Sequence, residues 1–120
     1  MSISRRGKSA RVSIGSTGRG TTQTPPDPSA HQVDATARLL RLLGDPNRLR
    51  LLLQLRRVGG LPVFELAARS EMQPSAVSHA LRLLRAHDVV GSRREGKLVV
   101  YFLRSSDVSS VLDMFIPRHG

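Results

Sequence analysis

The chain has 120 residues, enough for one domain and a tail, with 19 Lys+Arg against 9 Asp+Glu and a net charge of +10. It has no cysteine, which excludes disulfides, thiolate metal sites and thiol redox sensing. No apolar run approaches the roughly 20 residues needed to span a bilayer, so the basic surplus points to an anionic partner other than a membrane, with nucleic acid first.

Residues 1–30 are rich in Ser, Thr, Gly, Pro and Arg. Arg5, Arg6, Lys8, Arg11 and Arg19 stand there against Asp27, and apolar periodicity is nearly absent. Such a segment buries too little apolar surface to offset its ordering entropy, so it is expected to be a disordered basic tail. It reads either as an arm adding phosphate contacts or as an inert extension. No apolar core of signal-peptide length follows its first charges, and a cytoplasmic protein is expected.

Residues 31–120 are expected to form one folded domain. The first helix is predicted over Gln32–Leu43, where Val33, Ala37, Leu40 and Leu43 recur near helical spacing and Gly44 follows. Asp45-Pro46 is a strong start signal, an N-cap residue with proline at the first helical position. The second helix then carries Leu49, Leu52, Leu53 and Leu55 to about Val58, and Gly59-Gly60 stops it. Val63–Arg69 is a short third helix with Leu66 and Ala67 inward, and Ser70 to Met72 makes a turn. In the fourth helix Gln73 is a weak cap, Pro74 takes the first position, and Val77, Leu81 and Leu84 form the buried stripe.

The period changes after Asp88. Val89-Val90 begins a strand, Ser92 to Lys97 is a charged turn, and Leu98–Leu103 is a second strand rich in β-branched and aromatic residues. Glu95-Gly96 supports a hairpin reversal. Ser105 or Ser106 caps a last helix in which Val108, Val111, Leu112 and Phe115 share one side. The predicted fold is mainly α with a small β-hairpin: helix, helix, helix-turn-helix, hairpin, helix, a winged helix-turn-helix.

With Val77, Leu81 and Leu84 inward, Ser75, Ser78, His79 and Arg82 fall mostly on the opposite side of the fourth helix. Its amino end is the end that approaches base edges in a helix-turn-helix. Gln73, Ser75, Ala76, Ser78 and His79 sit there, with hydroxyls for bases or phosphates and an alanine methyl for a thymine methyl. Arg82 lies further along and suits phosphates. Each residue alone reads equally as a solvated helix face; the hairpin that follows is what points to DNA. Arg93, Arg94 and Lys97 surround Gly96 and form a basic wing for the backbone or a narrow minor groove. No Ser/His/Asp order, paired carboxylates or phosphate-cradling glycine loop appears, and no enzyme activity is expected.

Leu43-Gly44-Asp45-Pro46-Asn47-Arg48-Leu49-Arg50, the segment Pro74 to Arg85, and Arg93-Arg94-Glu95-Gly96-Lys97 with Val100-Tyr101 together resemble the ArsR/SmtB family of bacterial transcriptional repressors, over about residues 33–116. The resemblance implies a homodimer, built largely from the first and last helices, on an imperfect palindrome of double-stranded DNA. Val33, Leu40, Val108, Val111, Leu112 and Phe115 are the expected interface. The wording Leu61-Pro62-Val63 and Ser75 to His79 is similar to the nickel- and cobalt-responsive actinobacterial branch.

The family's metal motifs are incomplete here. The third-helix site has no cysteine. In the last helix Ser105 and Asp107 replace the leading Asp and His, the second His position falls on Arg118, and the fourth ligand has no counterpart. Asp107 and His119 remain as candidates for nickel, cobalt or zinc; equally, Asp107 is an acid favourable to a helix amino terminus. No cofactor is required. The alternatives are a non-specific architectural DNA binder and a winged-helix partner of a separate metal-sensing subunit.

Overall fold

The computed structural model describes residues 24–118, so His119 and the expected tail up to residue 23 lie outside the described residues. The element order is α1 (Ala30–Leu43), α2 (Pro46–Val58), α3 (Val63–Ser70), α4 (Pro74–Ala86), β1 (Val90–Glu95), β2 (Leu98–Leu103) and α5 (Ser106–Phe115), a winged helix-turn-helix.

Local chemistry accounts for the joints. The Asp45 carboxylate accepts from the Arg48 backbone N–H at 3.0 Å, capping α2 behind Pro46. Arg48 Nε donates to the Leu42 carbonyl at 2.7 Å, satisfying an acceptor that the end of α1 leaves open. The Asp-Pro-x-Arg sequence is thus a covalent and hydrogen-bonded elbow between two helices. Gly59 ends α2 at φ 106°, outside the range of ordinary L-residues. Gln73 occupies the position before α4, but its side chain makes no capping bond; Pro74 alone marks that start.

Among the described residues two non-glycine residues have positive φ, one before and one after α4. Glu71 (φ 55°) turns the chain out of α3, where Met72 N–H bonds the Ala67 carbonyl at 3.0 Å. Asp88 (φ 58°) turns it from α4 into the hairpin, where Val89 N–H bonds the Leu84 carbonyl at 2.9 Å. The helix-turn-helix is therefore set by backbone hydrogen bonds on both sides of α4.

β1 and β2 pair antiparallel from Val90↔Leu103 to Glu95↔Leu98. The strands thus run through most of the segment expected as a charged turn. Arg93 and Arg94 are strand residues opposite Val100 and Val99, and only Gly96 and Lys97 lie between the paired ends. An unpredicted bridge joins Leu61 to Tyr101, with both N–H···O contacts at 2.9 Å, so β2 is pinned to the segment entering α3.

The core gathers Leu51, Leu52 and Leu55 of α2, Leu66 of α3, Val77, Leu81 and Leu84 of α4, Val89 and Val90 at the hairpin root, and Val108 and Leu112 of α5. Burying each such side chain contributes roughly 1.5–3 kcal/mol. The expected α5 stripe therefore divides. Val108 and Leu112 fill the protomer's own core, while Val111, Met114 and Phe115 point outward. No helix among the described residues is long and apolar enough to cross a membrane.

Candidate nucleic-acid interface

Helix α4 is anchored by one stripe: Val77, Ala80, Leu81 and Leu84 are buried. The opposite side carries Ser75, Ala76, His79 and Arg82, all exposed, with Ser78 partly so. Gln73 is exposed just ahead of them. All six belong to the turn before α4 and its first nine residues, so the structure gathers them on one polar strip. Its amino end carries small side chains and no acidic residue in the first turn, leaving the partial positive charge of the helix end uncompensated. Arg82 and Arg85 extend positive charge along the helix, and both are exposed.

The hairpin differs from the expected loop in how it holds its charges. Arg93 is engaged: its guanidinium bonds Glu95 at 2.7 Å and lies 5.6 Å from the centroid of the Phe102 ring. The side chains of Arg94 and Lys97 are exposed and have no hydrogen-bonded or ionic partner among the described residues. Sequence alone offers three equivalent cations; the register shows one fixed and two available.

Of the proposed metal residues, Asp107 lies among the described residues and His119 outside them. Asp107 is exposed in the first turn of α5. The Ser105 hydroxyl, at the position of the family's leading carboxylate, accepts from the Val108 N–H at 3.1 Å and so serves as the helix cap. Among the described residues no three His, Cys, Asp or Glu side chains cluster as a metal site. His87 closes α4 with its Nδ1 3.1 Å from the Leu83 carbonyl.

Outward-facing apolar groups of α1 and α5 lie beside one another. Leu40 and Phe115, at 58% and 76% exposure, border a shallow apolar cleft of about 230 Å³ with Leu49 and Ile116. Val33 is likewise exposed on α1.

A helix-turn-helix with a basic hairpin behind it defines a DNA-binding regulator of transcription. Residues 45–92 match the family described as "Bacterial regulatory protein, arsR family". The chain is 43% identical over 97 residues to the HTH-type transcriptional regulator NmtR of Mycobacterium tuberculosis, covering 80% of this chain and 78% of that one. It is 41% identical over 83 residues to the transcriptional repressor SmtB homolog of Synechocystis, covering 69% and 62%. Its fold superposes, at TM-score 0.65 and 28% identity, on the homodimeric winged helix-turn-helix DNA-binding domain Mb0332 of Mycobacterium bovis, covering 71% of this chain and 78% of that one. The chain belongs to the arsR family of bacterial regulatory proteins.

Two arginines have roles that the sequence does not announce. Arg48 acts as a structural elbow. Arg56, with its side chain 8% exposed, ties α2 to α5 by bonding Asp113 at 2.8 Å and the Ile116 carbonyl at 2.9 Å. Its only sequence signal is an arginine where the periodic leucines leave the α2 stripe.

Proposed function

We propose that the chain acts in the cytoplasm as a homodimeric repressor that occludes a promoter by binding an imperfectly palindromic operator. The observation that carries this reading is the exposed strip Ser75, Ala76, Ser78 and His79, held rigid by the buried Val77/Leu81/Leu84 stripe beside the free cations Arg94 and Lys97. Two copies joined through the outer face of α1 and α5 would present two α4 helices to half-sites roughly 34 Å apart. The resemblance to a homodimeric domain and to proteins named as repressors supports the same assignment.

Within this reading Ser78 and His79 address base edges, while Gln73, Ser75 and Arg82 hold the backbone. Arg94 and Lys97 add phosphate contacts from the wing, and Arg93 stiffens it. A nickel, cobalt or zinc response would call on Asp107, exposed in the first turn of α5, together with His119, which lies outside the described residues, while Ser105 serves as the helix cap.

Fluorescence anisotropy with DNA from upstream of the gene, against scrambled DNA at physiological salt, tests the assignment. A preference of a thousandfold or more is expected for a specific regulator. Tight binding with no discrimination and a steep salt slope would instead identify an architectural binder, the reading favoured by the +10 charge alone.

A further inference from the structure

A second basic site lies away from the DNA-binding strip. A cleft of about 450 Å³ opens between the carboxyl end of α2, the exit of β2 and the amino-terminal half of α5. Arg56, Arg104 and Arg118 line it together with the hydroxyl-bearing Ser106, Ser109 and Ser110. Asp113 is shared by Arg56 at 2.8 Å and Arg118 at 3.3 Å. One carboxylate is shared by two of the three guanidinium groups lining the cleft, an excess of two positive charges over the four side chains. The Arg104 side chain is exposed and has neither a hydrogen-bonded nor an ionic partner among the described residues. Arginine forks facing hydroxyl donors match the geometry of carboxylates and phosphates.

The cleft is placed at the root of the hairpin. Arg104 and Ser105 N–H groups both bond the Val89 carbonyl, at 2.9 and 3.1 Å, where α4 hands over to β1. The wing tip lies at the Glu95↔Leu98 end of the ladder, five residue steps from the Val90↔Leu103 end. At strand rise those steps amount to roughly 17 Å. A phosphate held by the wing tip is therefore not the occupant.

We infer that this cleft binds a small anion carrying two or more oxyanionic charges, a phosphate compound or a dicarboxylate. Charge sets the class, because two uncompensated guanidinium charges select a dianion over chloride. The cleft, about 450 Å³, has room for a compact ligand. The inference deepens the repressor reading by giving it a signal class, and it rests on that reading only for the regulatory consequence. The cleft adjoins α5, whose far side carries Val111 and Phe115.

The test uses the full chain and its Arg104→Ala variant, titrated with pyrophosphate, with succinate, and with sodium chloride at matched ionic strength. Calorimetry and thermal denaturation are expected to show one saturable site per chain for pyrophosphate or succinate, absent for chloride, and weakened tenfold or more in the variant. Which of the two binds distinguishes phosphate from dicarboxylate ligands. Equal responses of variant and wild type, or responses no larger than chloride's for both probes, would overturn the site. Operator affinity without added anion is measured in parallel and is expected to be the same for both proteins. Loss of sequence preference there, with Arg104-dependent anion binding intact, sinks the repressor reading and leaves the site standing.

Discussion

The Arg93 guanidinium lies 5.6 Å from the centroid of the Phe102 ring while it bonds Glu95 at 2.7 Å. Stacking and ion pairing fix one cation of the wing and leave the side chains of Arg94 and Lys97 without partners among the described residues. Their roles in DNA binding should differ accordingly. Arg94→Ala or Lys97→Ala should each weaken operator binding at all sequences alike and lower the slope of log affinity against log salt by about 0.9, one phosphate's worth. Arg93→Ala should leave that slope nearly unchanged and show its effect as faster hydrogen exchange in β1 and β2. Anisotropy titrations over a salt series, read beside exchange data, separate the two outcomes.

Specificity should reside in α4. Ser78→Ala combined with His79→Ala removes the polar groups at the strip's centre without touching Val77 or Leu81. Operator affinity should fall by roughly 1–3 kcal/mol for each base edge that is no longer read, with non-specific binding largely retained. The variant should remain folded and dimeric by circular dichroism and sedimentation. Unchanged discrimination between operator and scrambled DNA would remove these residues from the base-reading set.

The legible parts of this protein were those whose cause is local. Asp45-Pro46 and Pro74 mark helix starts because capping acts within a turn of the chain. Val77, Leu81 and Leu84 reveal the buried side of α4 because their spacing repeats once per helical turn. The Leu61–Tyr101 bridge was not legible: it is one residue long, spans 40 positions and follows no alternating pattern. Nor could sequence show that Arg93 and Arg94, adjacent in the chain, point to opposite sides of a strand. The α5 stripe failed for a different reason. It is apolar over more than one side, and periodicity cannot tell the side that meets its own core from the side that meets another molecule.

That division of α5 yields opposite expectations for neighbouring residues. Leu40 and Phe115 are exposed, at 58% and 76%, on the face assigned to dimer contact. Leu40→Glu or Phe115→Glu should give a folded monomer with weak operator binding, because burying an unpaired carboxylate opposes association. Leu112, at 3% exposure, should behave as a core residue, and Leu112→Glu should unfold the protein. Sedimentation equilibrium together with thermal denaturation reads both effects. A dimer that survives both exposed-face substitutions would place the interface elsewhere.

The elbow between α1 and α2 should be a stability element with no direct part in DNA recognition. Asp45→Ala removes the side-chain acceptor for the Arg48 N–H and should cost about 1 kcal/mol. For a domain of this size that corresponds to a fall in Tm of roughly 4–8 °C. Operator affinity measured well below the transition should be unchanged.

Gly91 links the wing's stability to its charge arrangement. A Cβ built at Gly91 would lie 2.6 Å from the Phe102 ring, far inside van der Waals contact. Phe102 is its partner in the ladder, so the ring packs over the bare backbone opposite it. Gly91→Ala would push the ring away, at a cost of roughly 1–3 kcal/mol for an overpacked site. The displaced ring would take with it the surface on which Arg93 rests, freeing that guanidinium to move. The variant should therefore lose stability and, unlike Asp45→Ala, also show faster exchange along β1 and altered operator affinity. If Gly91→Ala lowered Tm without disturbing the hairpin, the Phe102 ring would be packing for the core alone and Arg93 would need no such support.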